Sequence, residues 1–307
     1  MLGVTPRHGT YREGDSVGEP LVSVIMPNLN KGRFIREAIE SVLNQSYSNL
    51  ELIVVDGGST DDSLSQISSH LASDRRVKLV IEPRRGAGRA RNKGLTRARG
   101  DFVAFLDSDD LYEREKIEQQ VSLLREDRVT SCCYTEARII DGEGKATRGI
   151  YNSDLVKLPR LPEERILAPL LRLNFIVCGT VMLRKECLSS GCFDQSVGFG
   201  EDWDLWVRLA RKYRFRYISE PLYHYRIYEG NTYAAPDQRS NHRNIAAIHA
   251  KWLQLFDDLN GQTRTYLVTK MLKELRLAGD GWSISKAAAS HKQALGVIKV
   301  GSELPRL

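Results

Sequence analysis

The chain has 307 residues, of which 41% are hydrophobic and 27% are charged, and its formal net charge at pH 7 is +6. This length and composition are ordinary for a globular protein of one or two domains, and the mild positive charge suits anionic ligands or an anionic membrane surface. No apolar run approaches the about 20 residues that a membrane-spanning helix requires, and residues 1–19 contain no apolar block that would indicate a secretory signal.

Strand-like and helix-like patterns alternate through the first 110 residues. Apolar runs predict four strands, at residues 21–26, 50–55, 77–81 and 102–106. Helical spacing predicts a helix at residues 31–45, and Ser59 with Asp62 three residues later resembles a capping box that begins the next helix. This alternation predicts an α/β fold with a parallel, doubly wound sheet. The loops after the four strands are then expected to meet at one edge of the sheet, where such sheets bind ligands.

The second half of the chain has a less regular pattern. Strands are predicted at residues 129–134 and 138–140, before a hairpin turn at 141–144, and residues 177–183 form another apolar run. Helices are predicted from Glu201 onwards and at residues 241–259, 263–278 and 283–300. We therefore expect a loose tail at residues 1–20, an α/β domain at 21–230 with halves 21–112 and 113–230, and a C-terminal helical region at 231–307.

Three acids within four positions directly follow the fourth predicted strand: Asp107, Asp109 and Asp110. Carboxylates this close repel one another unless a cation lies among them, and hard divalent ions such as Mn²⁺ or Mg²⁺ suit oxygen ligands. Such ions commonly hold substrate phosphates. The pattern predicts a metal site, while an isolated Asp-x-Asp is also typical of a solvated acidic loop before a helix.

Residues 84–99 contain seven Lys or Arg residues and no acid. Gly86 and Gly88 allow close approach to the backbone, and a helix that follows offers free N–H groups to an anion. Arginines such as Arg84 and Arg91 add bidentate contacts to phosphate. The segment predicts a diphosphate site, the alternative being a solvated basic helix face. It does not predict NAD or FAD binding, because position 91 is Arg and the segment does not follow the first strand.

Two adjacent acids, Glu201 and Asp202, begin a predicted helix after Gly198 and Gly200. The helix dipole favours acids at this place, and that alone is one sufficient reason for them. The functional alternative is a general base, which must reach an acceptor proton and be ionised at the working pH. The dipole would help to keep such a base ionised.

These motifs, in this order, resemble those of the family 2 glycosyltransferases, which are inverting enzymes with the GT-A fold. The resemblance extends over residues 21–231. Its matching segments are 22–30, 51–59, the Gly-x-x-x-Ala-Arg-Asn element at 86–92, the Asp-x-Asp at 105–110, Glu-Asp-Trp at 201–203 and Tyr-Arg at 225–226. It implies a Rossmann-like, mostly parallel sheet flanked by helices, with a C-terminal helical extension. It also implies that residues 21–112 bind the nucleotide sugar and residues 113–230 form the acceptor side.

The resemblance further implies a role for each candidate residue. Those expected to contact the donor nucleotide and its diphosphate are Pro27, Asn30, Asp56, Ser59, Arg84, Gly86, Arg91 and Asp107. Asp109, with Asp107, would bind Mn²⁺ or Mg²⁺, and Asp202, with Glu201 beside it, would deprotonate the acceptor hydroxyl. The implied reaction is transfer from a UDP-sugar to a saccharide or lipid-linked acceptor, in the synthesis of a cell-surface polysaccharide or glycoconjugate.

The chain departs from the family pattern at two places. The second loop commonly has two consecutive Asp residues, and Gly57 replaces the second, so that one contact to the base is either lost or supplied by Asp56. The family often has His two residues after the Tyr-Arg pair, near the diphosphate. Here that position is Tyr228, and His224, just upstream, is either its substitute or a structural histidine.

Two other functions are compatible with parts of the sequence. A nucleotidyltransferase also places acids and a metal beside a nucleotide, but it would not need Glu201 and Asp202 on a separate segment. A basic module that binds nucleic acid or a membrane surface would use residues 84–99, which contain no aromatic residue for base stacking, so nucleic acid is not an expected partner. The five cysteines, odd in number and without Cys-x-x-Cys spacing, are typical of reduced thiols. We therefore expect a cytoplasmic protein with peripheral contact at the inner face of the membrane.

Overall fold

Four parallel strands form one half of the sheet, in the order β3–β2–β1–β4. They are β1 (Val22–Asn28), β2 (Leu50–Asp56), β3 (Val77–Ile81) and β4 (Phe102–Phe105). The structure, a computed structural model, describes residues 18–84, 86–150, 166–229 and 238–290. Nearly all residues of β1, β2 and β4 are buried, which explains why these strands read as continuous apolar runs rather than as alternating patterns.

The other half of the sheet is mixed and continues the order through β8–β6–β9–β5, with β7 paired to β6. Its strands are β5 (Leu111–Tyr112), β6 (Thr130–Ile140), β7 (Ala146–Ile150), β8 (Val181–Arg184) and β9 (Arg214–Arg226). β4 pairs with β8 in the antiparallel sense, and β6 runs parallel to β9. The predicted α/β class, with a parallel first half, is confirmed.

Helices cover the sheet and form the C-terminal part of the chain. They are α1 (Gly32–Leu43), α2 (Ser63–Ser73), α3 (Ala87–Leu95), α4 (Lys116–Glu126), α5 (Leu167–Leu170), α6 (Glu201–Ala210), α7 (Gln238–Leu255), α8 (Gly261–Leu277) and α9 (Gly281–Ser290). A hydrophobic core cluster joins apolar residues of β1, β2 and β4 to Ile35 and Ile39 of α1. Among the described residues, no helix is long and apolar enough to span a membrane.

Two local predictions are wrong. Ser59 does not cap a helix, because α2 begins at Ser63 and Ser59 instead bonds to Asp56 within the loop. The strands predicted at 129–134 and 138–140 are one continuous strand, β6, since the residues between them keep their backbone pairing with β9. The apolar run at residues 177–183 contains a short 3₁₀ helix (Cys178–Thr180) followed by the first residues of β8.

Gly94 allows helix α3 to approach the sheet closely. A Cβ atom at this position would lie only 2.5 Å from Cγ2 of Ile25 in β1. Any larger side chain would push the helix away from the strand. The glycine therefore helps to fix the place of α3, and with it the place of Arg91, relative to the edge of the sheet.

The chain divides into two compact units. The first comprises the residues up to Asp194 together with Leu205–Glu229, and contains the whole sheet. The second comprises Gln195–Asp204, which includes the start of α6, together with the segment from Gly230 onwards. The predicted boundary at residue 231 and the predicted helix beyond residue 290 lie outside the described residues, so these domain limits stay predictions.

Candidate active site

The loops after β1 and β2 are tied together through Asp56. Strand register pairs Asn28 with Asp56 at the ends of the two strands. Asp56 is completely buried, and its carboxylate accepts hydrogen bonds from Asn28 Nδ2 (2.7 Å), Ser59 Oγ (2.6 Å) and the backbone N–H groups of Gly58 and Ser59 (2.9 Å each). The Asp56 carboxylate therefore stabilises the conformation of the loop after β2.

Asn30 joins the same two loops at the surface. Its φ of 53° lies in the left-handed region, which Asn tolerates better than most residues. Its N–H donates to Ser59 Oγ (2.9 Å), and its Oδ1 accepts from the N–H of Thr60 (2.8 Å). Pro27 pairs with Val55 one step earlier in the register. The structure thus brings together Pro27, Asn30, Asp56 and Ser59, as the sequence predicted.

Arg84 is engaged by a neighbouring acid. Its Nε and Nη2 donate to the two carboxylate oxygens of Glu82, at 2.6 Å and 3.0 Å, and its side chain is otherwise largely exposed. The Arg84 guanidinium holds the pKa of Glu82 below its usual range. Arg85 lies outside the described residues. Arg84 is therefore part of an ion pair within the protein, whereas the sequence predicted that it contacts phosphate.

Arg91 lies inside the protein and holds Asp107. Its guanidinium is buried and donates to Asp107 Oδ1 at 2.7 Å, and it also lies over the Phe193 ring, 5.4 Å from the ring centroid. Gly86, with a φ of 123° that favours glycine, precedes the first turn of α3. Asp107 is partly exposed. The arginine therefore fixes one carboxylate of the Asp-x-Asp in place.

Asp109 is held by two residues that the sequence analysis did not assign to the site. Lys31 Nζ lies 2.8 Å from Asp109 Oδ2, and Tyr228 Oη donates to the same oxygen at 2.8 Å. Lys31 also donates a short hydrogen bond to Tyr228 Oη. Burial tends to lower the pKa of Lys31, but the charge of Asp109 and these hydrogen bonds outweigh it, and the pKa is raised. Burial, then the charge of Asp109, raises the pKa of Tyr228 to about 12.

Asp110 is buried, unlike Asp107 and Asp109, and it anchors residues 107–110, called here the acidic loop, to β9. It is buried, and it accepts hydrogen bonds from Tyr223 Oη and from the backbone N–H of Arg226. Burial, followed by the charges of Asp109 and Asp107, raises the pKa of Asp110 well above its usual value. Of the three clustered acids, Asp110 is therefore a structural group, and the other two face outward.

Arg226 is the link between the acidic loop and its surroundings. Its buried guanidinium donates to the backbone oxygens of Asp109 (2.7 Å) and Gly142 (3.2 Å) and to the Glu37 carboxylate (2.9 Å), and it lies over the Phe34 ring. The Tyr-Arg element of the sequence pointed to this residue, but not to its role. Arg226 fixes the backbone that presents the Asp109 carboxylate.

The donor set fits a divalent ion that also binds a ligand. Within the described residues, no group of three or more His, Cys, Asp or Glu side chains is arranged to hold a metal by itself. Asp107 and Asp109 nevertheless provide two neighbouring carboxylates that are partly open to solvent. Mg²⁺ and similar ions are commonly bound by one or two carboxylates together with substrate phosphates. The chemistry of the site therefore fits Mn²⁺ or Mg²⁺ with a diphosphate, rather than a metal alone.

Glu201 and Asp202 lie at the start of α6, in the second unit, and both are half-buried. The third acid of this turn, Asp204, is fully buried and accepts from Lys251 Nζ (2.7 Å) and Trp252 Nε1 (3.1 Å). Asp204 therefore ties α6 to α7 within this unit. Asp202 Oδ1 accepts a hydrogen bond from the backbone N–H of Trp203 (2.7 Å).

His224 is placed as a structural residue. Its Nε2 lies 2.7 Å from Glu113 Oε1, in the strand pair that β9 forms with β5. Tyr228, by contrast, contacts Asp109 directly. Tyr228 occupies the position at which the family often has His, and its hydroxyl donates to the carboxylate of Asp109.

Comparison with known proteins identifies a related family over the region that contains this site. The sequence model described as Glycosyl transferase family 2 matches residues 23–190. TuaG of Bacillus subtilis, a glycosyltransferase named for teichuronic acid biosynthesis, is 34% identical over 212 residues, which are 68% of this chain and 80% of TuaG. Chondroitin synthase of Escherichia coli is 31% identical over 213 residues, 69% of this chain and 30% of the synthase. The chain thus spans about a third of the length of several relatives that it matches.

Solved structures share the fold. The mannosyltransferase PcManGT from Pyrobaculum calidifontis, in complex with GDP-Man and Mn²⁺, has a TM-score of 0.62 and 21% identity, over 93% of this chain and 83% of that one. S. aureus TarS 1-349 in complex with UDP-GlcNAc has a TM-score of 0.60 and 19% identity, over 92% of this chain and 76% of that one. At this level of identity the likeness concerns the fold.

Proposed function

This chain belongs to glycosyl transferase family 2 and is a glycosyltransferase with the GT-A fold, and from that premise we propose a specific reaction for it. The reaction is transfer of a sugar from a nucleoside-diphosphate sugar to an acceptor hydroxyl, with inversion at the anomeric carbon and with Mn²⁺ or Mg²⁺ bound. The observation that carries the proposal is the pair of outward-facing carboxylates, Asp107 and Asp109, directly after buried strand β4.

The donor nucleoside would lie on the loops after β1 and β2. Asp56 is enclosed by its own loop, so we assign it the role of holding the backbone of residues 57–59 in shape, with Pro27 and Asn30 forming the adjoining wall. A UDP-sugar is the proposed donor. Support comes from TarS, a protein of the same fold whose structure contains UDP-GlcNAc. PcManGT, whose structure contains GDP-Man, supports a nucleotide sugar but does not favour uridine.

The diphosphate would lie between the acidic loop and the start of α3. Asp109 and Asp107 would hold the divalent ion, which when bound offsets the negative charge that develops on the departing diphosphate. Arg91 keeps the Asp107 carboxylate in a fixed orientation through its hydrogen bond. The first N–H groups of α3, after Gly86, are free to donate to phosphate oxygens, as at other helix N-termini.

The acceptor hydroxyl requires a base. In one in-line displacement, the acceptor oxygen bonds to the anomeric carbon, the bond from that carbon to the diphosphate oxygen breaks, and the hydroxyl proton passes to a carboxylate. We assign this proton to Asp202, because the dipole of α6 favours its ionised form and because its side chain is half-buried, whereas that of Asp204 is fully buried. Glu201 is assigned to acceptor binding.

The proposed acceptor is a saccharide or a lipid-linked saccharide. This proposal is supported by relatives named for teichuronic acid biosynthesis and chondroitin synthesis, both of which concern polysaccharides. Apart from Glu201, the sequence shows no motif for residues that would bind the acceptor.

The proposal is tested by the melting temperature of the protein with UDP, GDP or ADP, each with and without MnCl₂. A ligand that binds only the folded protein stabilises it by about 2.7 kcal/mol at one hundred times its Kd. We expect one nucleoside diphosphate to raise the melting temperature, and to do so more strongly with Mn²⁺. If none of them does so under either condition, the proposed donor site is wrong.

A further inference from the structure

The acidic loop is nearly neutralised by side chains of the protein itself. Asp107 is paired with Arg91, and Asp109 is paired with Lys31. Asp110 is buried with neutral donors, the Tyr223 hydroxyl and a backbone N–H. A divalent ion that entered this loop alone would therefore meet a site in which each outward-facing carboxylate already has a cationic partner.

Lys31 is well placed to act as that partner for Asp109. It directly precedes α1, and its ammonium group lies 2.8 Å from Asp109 Oδ2 and 5.0 Å from the centroid of the Tyr228 ring. Tyr228 Oη donates to the same carboxylate oxygen and accepts from Lys31. Lys31 and Tyr228 thus engage one oxygen of Asp109 together, and both side chains are partly shielded from solvent.

We propose that Lys31 is an internal cation that keeps Asp109 closed to a divalent ion until the ion arrives together with a diphosphate. The proposal rests on the proposed function and deepens it, because it names the residue that makes binding of the ion depend on binding of the nucleotide. Lys31 is in this sense a positioning residue for the donor complex.

Charge balance gives the physical reason. A divalent ion at Asp109 Oδ2 must displace an ammonium group or lie beside it, and two cations at such short separation repel strongly. A diphosphate adds negative charge to the same place, so it can bind the ion and accept a hydrogen bond from the displaced Lys31 ammonium. The ion and the diphosphate should therefore increase each other's affinity, and by the same factor.

The test measures binding of MnCl₂ alone by isothermal titration calorimetry, with the complete chain. Lys31→Met removes the charge and keeps a side chain of similar length. We expect it to bind Mn²⁺ alone at least about tenfold more tightly than the wild type, since one positive charge next to the ion is removed. Lys31→Arg keeps the charge and should bind Mn²⁺ alone as weakly as the wild type.

Two controls show whether the effect belongs to Asp109. Lys78 forms an ion pair with Glu51 in the same unit, so Lys78→Met makes the same change of charge elsewhere and should leave Mn²⁺ affinity unchanged. In the double variant Lys31→Met with Asp109→Asn, the gain in Mn²⁺ affinity should disappear. Equal Mn²⁺ affinity of the wild type and Lys31→Met, whether measurable or absent, would overturn the proposal.

The same titrations are repeated with UDP present, which separates this inference from the proposed function. We expect UDP to raise the Mn²⁺ affinity of the wild type more than that of Lys31→Met. If UDP and Mn²⁺ bind together in the wild type but Lys31→Met shows the same coupling, the role of Lys31 is wrong and the proposed donor site stands. If UDP and Mn²⁺ do not bind together in any variant, the proposed use of a metal fails as well.

Discussion

The buried guanidinium of Arg91 donates a hydrogen bond of 2.7 Å to the carboxylate of Asp107. The sequence suggested that this arginine contacts a diphosphate from an exposed loop. In the structure Arg91 instead orients the carboxylate of Asp107, which would share in binding the metal and the diphosphate.

This relationship predicts that Arg91→Ala affects both stability and ligand binding. A hydrogen bond to a charged group contributes about 1.5–3 kcal/mol, so the free energy of unfolding should fall by about that amount in urea titrations. UDP affinity in the presence of Mn²⁺ should fall about tenfold, which corresponds to about 1.4 kcal/mol. Arg36→Ala, which removes an exposed arginine paired with the exposed Glu40, is the matched control and should leave stability unchanged. A larger loss of stability in Arg36→Ala than in Arg91→Ala would contradict this assignment.

Lys116 predicts an unusual dependence of stability on pH. It is fully buried, donates to Gln120 Oε1 at 2.7 Å and lies over the Tyr112 ring, 4.1 Å from the ring centroid. Burial lowers the pKa of Lys116 to about 7. Between that value and the ordinary pKa of about 10.4, the unfolded chain binds a proton that the folded protein does not.

The folded state is therefore destabilised progressively as the pH falls from about 10 to about 7, with a slope of about 1.4 kcal/mol per pH unit, and the effect levels off below pH 7. Lys116→Met removes this effect, so its advantage over the wild type in urea unfolding should be largest near pH 7 and shrink as the pH rises. Lys93→Met, on the surface-facing part of α3, should show no such trend. A difference between Lys116→Met and wild type that does not vary with pH would show that Lys116 keeps its ordinary pKa.

Because Asp110 is buried, we predict that a neutral side chain of similar shape is tolerated at this position. An Asn at this position can accept from the N–H of Arg226 and donate to Tyr223 Oη, and it removes the cost of burying a charge. Asp110→Asn should therefore change the free energy of unfolding by less than about 1 kcal/mol, whereas Asp110→Ala leaves two buried donors unpaired and should cost about 2–4 kcal/mol. The free energies of unfolding of both variants are to be measured by urea titration. Equal losses in the two variants would mean that these hydrogen bonds do not stabilise the loop.

The assignment of the base predicts different effects at two adjacent acids. Asp202→Asn should reduce the rate of sugar transfer by about 10²- to 10⁴-fold while donor affinity stays near that of the wild type, because the lost step is removal of the acceptor proton. Glu201→Gln should have a smaller effect, seen mainly in the KM for the acceptor. Transfer rates and UDP affinities of both variants decide the matter. The assignment is reversed if only Glu201→Gln loses transfer, and it fails if both variants keep it.

The parts of the fold that follow from local sequence were predicted well. Strands β1, β2 and β4 are buried on both faces, so their apolar runs were unmistakable. Strand β9 was missed, because its buried and exposed residues do not alternate regularly and because it contains Pro221. Its backbone is defined instead by pairing with β6, which the sequence does not display.

The candidate site shows the same division. The loops with Asp56, Asp107 and Asp109 were predicted, because the ends of parallel strands meet at one edge of the sheet. Lys31 was missed, because it lies far from Asp109 in sequence and belongs to none of the motifs. The sequence marked the position of Tyr228, but its contact with Asp109 is made only by the fold. Sequence also could not separate Asp110 from its neighbours, since only the fold determines which of three clustered carboxylates points inward.

The central claim is that Asp109 binds a donor diphosphate through a divalent ion. The most direct measurement is calorimetric titration of UDP into the wild type and into Asp109→Asn, each with and without MnCl₂, with Asp257→Asn as the control for an exposed acid elsewhere in the chain. We predict that Mn²⁺ strengthens UDP binding to the wild type and to Asp257→Asn at least about tenfold, and that Asp109→Asn loses this gain while it keeps its fold. An undiminished effect of Mn²⁺ on UDP binding to Asp109→Asn would contradict the claim.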